Sequence, residues 1–195
     1  FGMIQNQTER LSHLSEVLLD MTGIQSVERS DFISLAELTD EVCCDLASIA
    51  DQKKVELIQE EGDCTVTGSY LLLYRAVYNL VENAIKYNHS GGKVTVKISQ
   101  TKALPAAHSK PTDYALVEVT DTGIGISPEF QEKIFDPFFR VDKSRSRAMG
   151  GAGLGLALVN EIARQHGGQV KVLASSEQGS TIALVLPINS PLIEI

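Results

Sequence analysis

The sequence predicts an α+β two-layer sandwich, a mixed and mostly antiparallel sheet covered by helices on one face and preceded by one amphipathic helix. Long segments of helical period (residues 34–53, 69–87 and 154–166) are separated by short segments of strand character. The strand segments come as neighbours along the chain: VELIQ and CTVTG, GGKVTVKISQ and YALVEVT, QVKVLAS and STIALVLP. With 43% apolar residues in 195, the chain can bury a substantial core.

Along the chain, Ile4, Leu11 and Leu18 lie seven apart, with Gln7, Leu14 and Met21 at the complementary heptad position. This is an amphipathic helix in search of a partner, ended by Met21-Thr22-Gly23. A second helix is expected over Ser34 to Lys53. VELIQ and CTVTG flank the turn Glu60-Glu61-Gly62-Asp63 and are expected to form a hairpin. A long helix from Ser69 to Tyr87 precedes two alternating strands, joined by a loop holding Pro105 and Pro111. Asp121 to Gly155 is glycine-punctuated and charged, too long for a simple connection, which marks a functional lid. A helix from Leu154 to His166 ends on Gly167-Gly168, and two strands close the fold.

Composition excludes several functions. A formal charge of −8, with no basic run longer than a pair, argues against nucleic acid. No apolar run approaches the roughly 20 residues of a membrane span. Phe1 opens the chain without an initiator Met, so an excerpt of a longer protein is expected. The three cysteines, Cys43, Cys44 and Cys64, lack metal-ligand spacing and are read as buried small side chains in a reducing, cytoplasmic setting. The histidines, His13, His89, His108 and His166, show no paired spacing for zinc.

Chemistry concentrates in four places. At about 100° per residue, Asn79, Asn83 and Lys86 share one stripe of the central helix, opposite Leu73, Val77, Leu80 and Ala84. That stripe is either a solvated face or a site in which amide oxygens hold Mg²⁺ and Lys86 neutralises phosphate, with Tyr87 able to stack on a base. In VEVTDTGIGI a strand ends in Asp121, and Gly123 and Gly125 follow; this is a turn or a pocket whose carboxylate reads an adenine amino group. KIFDPFFRVDKSRSR alternates Phe135, Phe138 and Phe139 with Arg140, Lys143, Arg145 and Arg147. The aromatics can anchor a loop from which Arg140 or Arg145 reaches a phosphate, or form a small satellite core. GGAGLGLALV places Gly151, Gly153 and Gly155 before a helix N-terminus, suited to an anion or simply to a turn. It is neither a Walker A loop nor a dinucleotide fingerprint.

Taken in order, the asparagine helix, DTGIG, the Phe-Arg segment, GAGLGL and the closing Gly179-Ser180 strand resemble the ATP-binding catalytic domain of two-component sensor histidine kinases. That domain belongs to the Bergerat-fold GHKL superfamily shared with gyrase, heat-shock chaperone and mismatch-repair ATPases. The resemblance implies ATP and Mg²⁺ as ligands. It puts Asn79 and Asn83 of the N box on the metal, Lys86 on phosphate and Tyr87 beside adenine. Asp121 of the G1 box, with Gly123, Gly125 and Ile126, would take the base, and Arg140 of the F box the γ-phosphate. Gly151, Gly153, Leu154, Gly155 and Leu156 would form the G2 end of a lid over Ser127 to Gly151, ordering on nucleotide. Ser180 would reach adenine through water. Arg140 and Lys86 would stabilise the transition state.

The implied reaction is γ-phosphoryl transfer to a histidine. Asn79 stands where gyrase-like ATPases carry a water-activating Glu, which disfavours hydrolysis. No histidine here has the acidic residue and following Pro of a phosphoacceptor; His13 comes nearest and lacks both. His166 matches the family but needs no chemistry beyond capping and the helix dipole. The phosphoacceptor helix is therefore expected upstream, and the chain alone is predicted unable to autophosphorylate. The expected organisation is a dimerisation-hairpin remnant over 1–23, a linker over 24–30, the ATP-binding domain over 31–188 and a tail over 189–195. Expected partners are the parent's phosphoacceptor dimerisation domain and a response regulator, in a homodimeric parent whose membrane anchoring is left open. An ATPase clamp or a non-catalytic ATP scaffold are the rival readings.

Overall fold

A computed structural model describes residues 27–102, 113–141 and 153–188. The amino-terminal heptad helix, His13, His108, Arg145 and Gly151 lie outside these residues. Strand β1 (Asp31–Ser34) leads into helix α1 (Leu35–Lys53); β2 (Glu56–Gln59) and β3 (Thr65–Gly68) precede helix α2 (Tyr70–Lys86). Strands β4 (Lys93–Lys102) and β5 (Asp113–Asp121) follow. Two 3-10 turns, Pro128–Phe130 and Lys133–Phe135, come before helix α3 (Gly155–Gln165), and β6 (Gln169–Ser176) and β7 (Gly179–Pro187) close the fold.

Five strands form the main sheet in the order β2-β4-β5-β7-β6, antiparallel throughout except for the parallel β2–β4 pair. The two-layer expectation holds, and the period-two pattern explains it. Ala115, Val117 and Val119 of β5, with Val94, Val96 and Ile98 of β4, face a core shared with Leu38, Val42 and Leu46 of α1, Leu73, Val77 and Leu80 of α2, and Val159 and Ile162 of α3. On the other face of the sheet Leu116, Ala183 and Val185 form a small separate cluster beside Tyr114.

The expected hairpin between VELIQ and CTVTG does not form. β2 pairs in parallel with β4, while β3 pairs with β1, a strand the sequence reading missed. Asp63 is the physical reason: its Oδ1 accepts from the Ala36 N–H at 3.0 Å, the Cys64 N–H at 2.7 Å and the Ser34 hydroxyl at 3.1 Å. The intended turn instead braces the α1 N-terminus, where Ser34 accepts from the Glu37 N–H at 3.2 Å. That diverts the chain between β2 and β3. The cysteines also need correction: Cys64 is buried, Cys43 half-buried and Cys44 exposed.

Candidate nucleotide site

Helix α2 buries Leu72, Leu73, Ala76, Val77, Leu80, Val81, Ala84 and Ile85 against the core, which leaves Asn79, Asn83 and Lys86 half-buried on its flank. Asn79 Nδ2 donates to the Arg75 carbonyl at 2.8 Å, one turn back, so its Oδ1 remains turned toward α3. The approach is close: a Cβ added at Gly155 would stand 2.6 Å from Asn79 Oδ1. Lys86 Nζ lies 5.7 Å from the Tyr87 ring centroid. Burial holds the Lys86 ammonium below the ordinary lysine range; Glu82 opposes that shift, and Arg140 and Lys53 add to it. Cations thus converge on this flank.

β5 ends at Asp121, whose Oδ1 accepts from the Gly123 N–H at 2.8 Å and whose Oδ2 accepts from the Ser180 hydroxyl at 2.7 Å. The loop that follows is wedged between two backbones. A Cβ at Gly123 would meet the Tyr87 carbonyl oxygen at 2.5 Å, and one at Gly125, where φ is +66°, would fall 1.8 Å from the Ser176 carbonyl oxygen. The glycines of DTGIG are needed for these approaches.

Phe135 packs against the main core and Phe130 tilts against Phe139 at 5.7 Å, so two aromatics anchor the segment as expected. Phe138 differs: it is exposed and takes φ +64°. Its N–H donates to the Gly153 carbonyl at 2.9 Å, tying the segment to the start of α3, and Gly153 itself adopts φ +74°. Arg140 thereby lines the same cavity as the asparagine stripe. Its buried Nη2 has no hydrogen-bond partner among the described residues.

These elements enclose a cavity of about 570 Å³. Asn79, Asn83, Lys86, Tyr87, Asp121, Gly125, Ile126, Arg140, Gly153, Leu154, Gly155, Leu156 and Ser180 all line it. Of the residues singled out from sequence, Gly123 stays behind the wall and Gly151 lies outside the described residues. The sequence reading overlooked Glu82, Ser127, Ile134 and Val141 as lining residues. Glu82 alone carried a signal, its i,i+4 spacing to Lys86. Polar side chains line it together with apolar Leu80, Ala84, Val119 and Ile182, the make-up of a small-molecule site. Among the described residues no three or more His, Cys, Asp or Glu gather to hold a metal ion, and no helix is long and apolar enough to cross a membrane.

Residues 68–190 match the family model described as histidine kinase-, DNA gyrase B-, and HSP90-like ATPase. The chain belongs to this family. It is 35% identical to the sensor-like histidine kinase SenX3 of Mycobacterium tuberculosis over 185 residues, 93% of this chain and 43% of the relative. It therefore spans less than half the length of that relative. The mycobacterial sensor histidine kinase MprB superposes with a TM-score of 0.64 at 29% identity, covering 81% of this chain and 97% of that one. The histidine kinase ThkA, solved in complex with the response regulator TrrA, shares the fold with a TM-score of 0.67 at 22% identity, covering 93% of this chain and 49% of that one. Within the family, these kinships and the asparagine helix mark an ATP-binding catalytic domain of the sensor histidine kinase kind.

His166 departs from the reading given to it. It is a bridge rather than a simple cap: Nδ1–H donates to the Ile162 carbonyl at 2.8 Å and Nε2 accepts from the Ser69 N–H at 3.1 Å, joining the end of α3 to the start of α2. Burial holds its pKa below the ordinary range, against the backbone bond to Ile162 and helped by Arg29.

Proposed function

We propose that this chain is the catalytic part of a two-component sensor histidine kinase, binding ATP with Mg²⁺ and giving the γ-phosphoryl group to a histidine on a separate phosphoacceptor helix. The observation that carries the reading is the buried Arg140 Nη2, without a hydrogen-bond partner among the described residues, on the wall of the cavity that Asn79, Asn83 and Lys86 also line. A buried guanidinium nitrogen without an acceptor is costly, and a triphosphate supplies one. Asp121 would accept from the adenine amino group, Tyr87 and Ile126 would flank the ring, and the α3 N-terminus behind Gly153 would face phosphate. The donor set fits Mg²⁺: amide oxygens of Asn79 and Asn83 are hard ligands, and the Asn79 bond to Arg75 leaves its oxygen available. When bound, the ion would neutralise charge on the phosphates.

In the transfer, an imidazole nitrogen of the acceptor forms a bond to the γ-phosphorus as the bond to the bridging β–γ oxygen breaks, and ADP leaves. Arg140 and Lys86 stabilise charge on the equatorial oxygens. Asn79 cannot deprotonate water, which favours transfer over hydrolysis. Residues 1–23 would be the remnant of a dimerisation hairpin, residues 24–30 a linker, 31–188 the nucleotide domain and 189–195 a tail, in a homodimeric, cytoplasmic kinase region. The ThkA complex supports a response regulator as the downstream partner. The test uses γ-labelled ATP with the chain alone and with an added phosphoacceptor domain from a related kinase. Label should appear on the added domain in an acid-labile form and be absent from this chain; steady phosphate release without transfer would favour the ATPase reading.

A further inference from the structure

Three residues lie side by side across the end of the sheet: Asp121 on β5 pairs with Ser180 on β7, and Ser180 pairs with Ser175 on β6. By strict alternation, Ser175 would not share a face with Val170 and Val172. The register shifts between Val172 and Ala174, a bulge that puts Leu173 out of the pairing and brings Ser175 round to the face of Ser180 and Asp121. There its Oγ accepts from the Ile126 N–H at 2.7 Å and donates to the Gly179 carbonyl at 3.4 Å. The carbonyl of Ile126 is held separately, accepting from Gln131 Nε2 at 3.2 Å. Both polar groups of this one residue are therefore fixed by side chains from different elements. Ile126 lines the cavity, and just upstream Gly125 is pressed against Ser176.

We propose that Ser175 is a positioning residue for nucleotide binding: turned into the site by the bulge, it holds the Ile126 wall in place before ligand arrives. The inference rests on the reading of this cavity as an ATP site. A preformed apolar wall spares the ligand the cost of ordering the loop, so its loss appears as weaker affinity. Gln131 holds the same residue from the opposite side and belongs to the same latch.

The test measures ATP binding by calorimetry, thermal midpoints and amide exchange at Ile126 for the parent chain, Ser175→Ala, Ser175→Thr and Gln131→Leu. Ser175→Ala should weaken ATP about five- to tenfold and speed Ile126 exchange about tenfold or more, with Ser175→Thr recovering both. Gln131→Leu should weaken ATP in the same direction, and the double variant by less than the product of the two. ATP affinity unchanged in Ser175→Ala overturns the inference while leaving the ATP site intact. Weakened affinity with Ile126 still protected overturns it as well, since the effect is then general destabilisation. A parent chain that binds no ATP overturns the function reading, and this inference with it.

Discussion

Ser180 donates its hydroxyl hydrogen to Asp121 Oδ2 at 2.7 Å, and the two residues face each other across β7 and β5. With the Gly123 N–H on Oδ1, both carboxylate oxygens are oriented from the protein side. The carboxylate proposed to read the base is thus oriented before a ligand binds. Asp121→Asn should weaken ATP by about tenfold to a hundredfold, because the amide offers a donor where the adenine amino group needs an acceptor. Ser180→Ala should cost less, about fivefold, because it removes a bond that only orients the carboxylate and leaves the Gly123 N–H bond in place. Calorimetry with ATP and GTP checks both, and an Asp121→Asn protein that binds ATP as tightly as the parent would remove Asp121 from the base pocket.

Gly125→Ala should be damaging to fold and site together. The new Cβ would fall 1.8 Å from the Ser176 carbonyl oxygen, at a backbone φ of +66° that disfavours any side chain. Two backbones would have to separate, at about 2 kcal/mol or more of stability. Thermal or urea unfolding reads that loss, and ATP affinity should fall with it. A variant with the parent's midpoint would show that this approach is dispensable.

The His166 bridge makes stability depend on pH. Its folded pKa is depressed, chiefly by burial, below the ordinary value of about 6.5. The unfolded chain then binds more protons between the two values, so the bridge contributes fully above pH ~6.5 and is lost as pH falls through the folded pKa. Protonated Nε2 can no longer accept from the Ser69 N–H. The melting midpoint should fall on acidification below pH ~6.5, and His166→Ala should flatten that slope while costing about 1–3 kcal/mol, since buried Ser69 loses its acceptor. Equal slopes in parent and variant would assign the acid sensitivity elsewhere.

Arg140→Ala should separate ATP from ADP. Its guanidinium has a buried nitrogen with no hydrogen-bond partner among the described residues, so on the proposed function transfer to an added phosphoacceptor domain should drop about a hundredfold or more. ADP affinity should change by less than about threefold, because the proposed function gives this group to the γ-phosphate, which ADP lacks. Arg140→Lys should recover little of the rate, since an ammonium lacks the planar fork. Equal loss of ADP and ATP binding would instead place Arg140 on the α- or β-phosphate.

The α2 stripe was readable because helical period converts spacing directly into direction. Asn79, Asn83 and Lys86 had to share a flank once Leu73, Val77 and Leu80 were buried, and they do. β4, β5, β6 and β7 were readable for the same reason, as alternation along a half-buried sheet. The pairing of β2 and β3 was not: four-residue strands carry too little pattern to name a partner, and Asp63, which looked like a turn residue, spends its oxygen on the α1 N-terminus. His166 looked like a helix cap because its partner, Ser69, lies 97 residues away in sequence.

By itself, then, the sequence determined the two-layer architecture, the order of its motifs and the family to which those motifs belong, because each depends on residue type and local period. The tertiary structure decided which strands pair, that the glycines of DTGIG lie against the Tyr87 and Ser176 backbones, and that a bulge in β6 turns Ser175 onto the site. Those outcomes depend on contacts between segments far apart in the chain, where burial and backbone hydrogen bonding select among pairings that local pattern leaves equal.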